Sequence, residues 1–134
     1  MTSQEMADRI LDLIASYEDT TFPEIMRSIG EEARGNHAIE SRPNTFLWAG
    51  ISKNLFDSFA LIKDKLDVHR CSFMVSALDG SILNFPIAKS IPKDGYKEPH
   101  WLPVILRYRD KKEAAERLAL LRQQNPRLTG KRLC

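Results

Sequence analysis

CSFMVSALDGSILNFPI, residues 71–87, holds two apolar runs on either side of Asp79-Gly80. Asp-Gly is among the strongest short-range signals for a tight β-hairpin, because the favoured two-residue turn needs positive φ at both central positions. Residues 69–77 and 81–88 are rich in apolar, β-branched and aromatic side chains, so they read as two antiparallel strands. Upstream, Ser52 is a natural N-cap for KNLFDSFALIKDKL, in which Leu55, Phe56, Phe59, Ile62 and Leu66 keep helical spacing. The hairpin therefore follows a helix.

Toward the N-terminus, Met6, Ile10, Leu13, Ile14 and Tyr17 share one helical face, and Thr2 and Glu5 stand at capping-box spacing. Thr21 and Glu24 repeat that spacing, Pro23 lies in the first turn, and Phe22, Ile25, Met26 and Ile29 form a second apolar face that stops at Gly30. Residues 31–43, EEARGNHAIESRP, show no clean period and read as an exposed connection with room for a small insertion. Residues 44–51, NTFLWAGI, read as a short strand or an apolar turn. Beyond the hairpin, KSIPKDGYKEPH is a turn-rich connection, and Pro103 confines a further strand at 101–108 to a sheet edge. Asp110 and Glu113 cap a last helix with Ala114, Leu118 and Leu121 on one side, ended before Pro126. A mobile tail is expected after it.

The chain has 134 residues, enough for one domain with its own core. Hydrophobic residues at 43% and charged residues at 28% exclude a wholly disordered, fibrous or membrane-spanning chain. The apolar run 46–51 is far shorter than the roughly 18 to 20 residues that cross a bilayer. Glu5 and Asp8 occupy the segment where a leader would carry basic residues, so an unsecreted, cytoplasmic protein is expected. Two cysteines, Cys71 and Cys134, form neither a disulfide framework nor a metal quartet, and reduced thiols are the simplest account. The net charge of +2 conceals an asymmetry: residues 107–134 carry nine basic and three acidic side chains, residues 1–106 eleven and fifteen. Attraction to polyanions is expected at the C-terminal end.

Helix, short capped helix, connection, third helix and Asp-Gly hairpin: this order resembles a winged helix-turn-helix domain, on residues 2–29, 52–66 and 71–87. The resemblance implies an α+β fold in which three N-terminal helices precede a small antiparallel sheet and a C-terminal helix. It divides the chain into a winged-helix-like domain, 1–109, and a basic helix with its tail, 110–134. It also implies a DNA-binding protein such as a transcriptional regulator, with the third helix in the major groove and the hairpin near a neighbouring groove or the backbone. Lys53, Asn54, Ser58 and Lys65 lie outside the apolar stripe of that helix and are the candidates for DNA contact, Lys53 and Asn54 at its positive end. Arg107, Arg109, Lys111, Lys112 and Arg117, with Arg127, Lys131 and Arg132 of the tail, are the candidate phosphate anchors. Two features oppose this. Asp57 and Asp64 share the exposed surface of the third helix, and no Lys or Arg lies between Arg70 and Lys89, so the hairpin lacks the charge for phosphate contact.

The alternative is a protein–protein interaction module on the same scaffold without DNA binding, an adaptor or inhibitor, a role consistent with a small accessory protein, including one from a mobile element. Trp101, flanked by His100 and two prolines, has the character of an aromatic anchor for a partner, although completing the core beside Trp48 is the stronger reading. Leu118 and Leu121 make a narrow stripe suited to packing on the domain or to pairing with a second copy as a homodimer. His69 and Cys71 amount to half a metal site where a structural zinc needs four ligands, and His37 and His100 form no ligand-spaced pair. There is no phosphate loop, nucleophile elbow or dinucleotide fingerprint. No enzyme activity, cofactor, metal or membrane partner is expected.

Overall fold

A computed structural model describes residues 1–71 and 84–125. The Asp79-Gly80 turn and most of its two strands lie outside the described residues, as do Arg127, Lys131, Arg132 and Cys134.

Capping chemistry starts the first two helices where the sequence places it. Thr2 Oγ1 accepts the Glu5 amide at 3.1 Å and Glu5 Oε1 accepts the Thr2 amide at 3.2 Å, opening α1, Ser3–Ser16. Thr21 and Glu24 close the same box over 3.4 and 3.3 Å to open α2, Phe22–Ile29, with Pro23 in its first turn. Ser52 Oγ accepts the Leu55 amide at 3.1 Å and starts α3, Lys53–Ile62. Asp110 accepts the amides of Lys112 and Glu113 at the head of α4, Lys111–Gln124.

The fold is α+β, as expected, but its order differs. Between α2 and α3 the chain forms a hairpin of β1, Arg34–Arg42, and β2, Thr45–Ile51, turned where Asn44 adopts φ 58°. Strand β3, Leu66–Arg70, follows α3; β4 is His100–Trp101 and β5 is Val104–Tyr108. Two small sheets result. One has the order β1-β2-β4, antiparallel then parallel, and the other pairs β3 antiparallel to β5. The arrangement of three helices followed by one antiparallel sheet is thus corrected. Residues 31–43 gave no period because β1 is an edge strand exposed at most positions, with a register broken by bulges, so no alternating apolar face is required of it.

The core lies where α1 meets α3 and both sheets. Met6, Ile10 and Ile14 of α1 are sealed with Ile25, Ile51, Leu55, Trp101 and Leu106. Thr20, in the α1–α2 connection, exchanges two backbone hydrogen bonds with Leu106 at 3.1 and 2.7 Å, so β5 is flanked on both edges. Helix α4 lies against α1 and β5 but contributes no fully buried residue. After β3, the Cys71 amide donates to the Pro103 carbonyl at 3.0 Å. Cys71 is disulfide-bonded, where a reduced thiol was expected. Among the described residues no helix is long and apolar enough to cross a membrane.

Candidate functional site

On α3, the inward and outward faces are rotated relative to the stripe read from the sequence. Leu55, Ser58 and Ile62, spaced three and four apart, point inward. Ser58 is 0% exposed and its hydroxyl donates to the Leu55 carbonyl at 2.6 Å, so it cannot meet DNA; this corrects its assignment. Phe56 instead turns outward, 40% exposed, its ring 6.2 Å from that of His37 on β1. Leu61, 56% exposed, lies outside the buried stripe as well. Its place off the apolar period was the one sequence signal for an exposed apolar residue here. Phe56 carried no such signal, because it fitted the stripe.

The polar candidates on α3 and just after it are already engaged. Lys53 Nζ lies 3.6 Å from Asp57, one helical turn away. Asn54 donates to the Met1 carbonyl and accepts from the Ser3 hydroxyl, both at 3.1 Å, which ties α3 to the start of α1. Lys65 Nζ meets Glu113 at 2.5 Å, and that hydrogen bond holds the ammonium above its ordinary pKa.

The same holds for three of the C-terminal cations. Arg107 pairs with Asp19, whose hydrogen bond raises the guanidinium pKa further. Arg109 bonds Asp67 at 2.9 Å and the Leu66 carbonyl at 3.1 Å, bracing β5 against β3. Arg117 meets Asp12 at 2.7 Å; burial opposes its charge, but the bonds to Asp12 and Tyr108 outweigh that and raise its pKa. Lys111 and Lys112 are exposed and make no ion pair among the described residues.

Trp101 is 1% exposed and packs edge-on to Trp48 with ring centroids 5.7 Å apart. A side chain already sealed in the core is not an anchor for a partner, so that assignment is corrected. The histidines stand apart: His37 lies by Phe56, and His100 stacks on Tyr96 at 3.7 Å. Leu118 and Leu121 are half-buried and fall in different depressions. Leu118 lines an open groove of about 480 Å³ with Ile14, Ala15, Tyr108 and Ala114, rimmed by Glu18, Asp19, Arg107 and Lys111. Leu121, with Leu120 at 62% exposed, borders a second of about 420 Å³ beside Asp12, Glu113 and Glu116.

The structure thus brings together an outward α3 face of Phe56, Ala60 and Leu61, beside a neutralised Lys53–Asp57 pair. Among the described residues it does not join Lys53 and Lys65 to the C-terminal cations in a common set of unpaired charges. Set against protein-family models, curated proteins and solved structures, the chain matches none of them.

Proposed function

We propose that this protein is a protein–protein interaction module that docks through the outer face of α3, on a winged-helix-like scaffold with the β1–β2 hairpin inserted between its second and third helices. The scaffold reading is supported by β3 following α3, by β5 pairing antiparallel to it, and by Thr20 of the α1–α2 connection bridging the far edge of β5. The observation that carries the functional reading is the exposure of Phe56 and Leu61 on the helix that would enter a DNA groove. Such a face favours an apolar protein surface. A duplex demands cations there, and Lys53 and Lys65 are both paired with carboxylates.

Immobilised wild-type chain should retain a protein partner that both Phe56→Glu and Leu61→Glu variants fail to retain, while circular dichroism of the variants stays unchanged. Retention undiminished by either variant, or retention of nucleic acid alone, sinks this reading.

One observation favours DNA binding as the second reading. Lys111, Lys112 and Arg122 are exposed on α4, and Arg127, Lys131 and Arg132 follow in the sequence. Such binding would be electrostatic, and four phosphate contacts would give a log–log salt slope of about −3.6. Reversing Lys111, Lys112 and Arg122 to Glu separates the readings: duplex binding would be lost, protein retention through α3 would not.

A further inference from the structure

Helix α4 is fastened differently from every other helix in the described residues. Helices α1, α2 and α3 each sink several fully buried side chains into the molecule, whereas α4 buries none in fourteen residues. Of its apolar side chains only Ala114 packs against the central core cluster. Its polar ties to the rest of the chain are two ion pairs, Glu113 to Lys65 in the turn after α3 and Arg117 to Asp12 on α1, with a hydrogen bond between Arg117 and Tyr108 of β5. Both pairs are partly exposed, and such pairs are weak and screened by salt. The Asp110 cap starts the helix but does not fasten it to the body.

Beside α4 lie Ile14, Ala15 and Tyr108, all buried, at the floor of the groove it forms with α1 and β5. The rest of the core, from Met6 and Ile10 to Ile25, Leu55 and Trp101, sits on other elements. Loss of α4 would therefore bare one apolar strip and leave the central packing in place.

We infer that α4 is a releasable strap: the Lys65–Glu113 and Asp12–Arg117 pairs hold it over the Ile14–Ala15–Tyr108 strip, and breaking them uncovers that strip while the remaining fold persists. The inference does not rest on α3 as a docking face. A fourteen-residue helix is marginal in isolation, so a detached α4 also melts, and melting is visible in its amides.

The test is hydrogen exchange of the full chain, followed peptide by peptide in low salt and in molar sodium chloride. Protection of α4 amides should fall at least tenfold relative to α1 amides in the same sample at high salt. A Glu113→Gln, Arg117→Gln double variant should show that loss already at low salt, with little further response, while α1 stays protected. The α1 peptides report whether the variant folds. Loss of protection in α1 and α4 together, or an α4 that keeps its protection in high salt and in the variant, overturns the inference.

Discussion

Phe56 and Ser58 exchange the places that the helical period of α3 suggests. With Leu55, Phe56, Phe59 and Ile62 all apolar, the stripe is centred nearer Phe59; in the fold it is centred between Leu55, Ser58 and Ile62, and a serine occupies the inside. The hydroxyl is tolerated there because it returns its proton to the Leu55 carbonyl. Substitutions should follow the fold and not the hydropathy. Ser58→Leu should cost about 1–3 kcal/mol by overpacking a sealed position, whereas Phe56→Ser, at an exposed one, should cost less than about 1 kcal/mol. Urea midpoints at constant m-value report both. A reversed order, with Phe56→Ser the costlier, would place the stripe where the sequence put it. Trp101→Ala should be harsher, about 3–5 kcal/mol, because the removed ring packs edge-on to Trp48 in a site with 1% exposure.

Among the elements, helix starts were the most legible, because a capping box is a local contract between a hydroxyl, a carboxylate and two amides three residues apart. The boxes at Thr2–Glu5 and Thr21–Glu24 form as spaced. The first has a pH signature. Hydrogen bonds from the Thr2 amide and then from the Thr2 side chain hold the Glu5 carboxyl below its ordinary value of 4.5. A carboxyl whose pKa is depressed on folding stabilises the fold above its unfolded pKa and loses that contribution as pH falls through the folded one. The stability gap between the wild type and Glu5→Gln should therefore be full near neutrality and close below pH 4.5. A gap that widened on acidification would contradict the capping role. At the other end of the chain, Asp110→Ala removes an acceptor for two amides and should cost about 0.5–2 kcal/mol, read as lost helicity confined to α4. Strand β1 was not legible. An edge strand with most positions in water leaves composition free, and its bulges erase whatever alternation remains.

For the whole molecule, the charge asymmetry along the chain suggested a basic end offered to polyanions. The fold pairs three of those cations within the chain: Arg107, Arg109 and Arg117 reach back to Asp19, Asp67 and Asp12, residues from 42 to 105 positions away. The described residues hold seventeen basic and seventeen acidic side chains, so the excess positive charge belongs to residues outside them. Close approach of backbones is a second property of the whole. A Cβ placed on Gly35 of β1 would lie 2.6 Å from Ser52 Cα and 2.7 Å from the Ile51 carbonyl oxygen, so Gly35→Ala should force the hairpin away from the start of α3. A cost of about 1–3 kcal/mol in urea denaturation is expected, and a neutral substitution would show that the hairpin yields easily.

Helix starts, the α+β class and the candidacy of Trp101 for the core followed from the sequence alone, because caps and apolar runs act over a few residues and need no distant partner. Which face of α3 meets water, the insertion of β1 and β2 before α3, the parallel pairing of β4 to β2, and the internal use of the C-terminal arginines were decided only by tertiary structure. Each depends on groups far apart in the chain, and a carboxylate such as Asp12 carries no mark of its arginine until α4 is laid across α1.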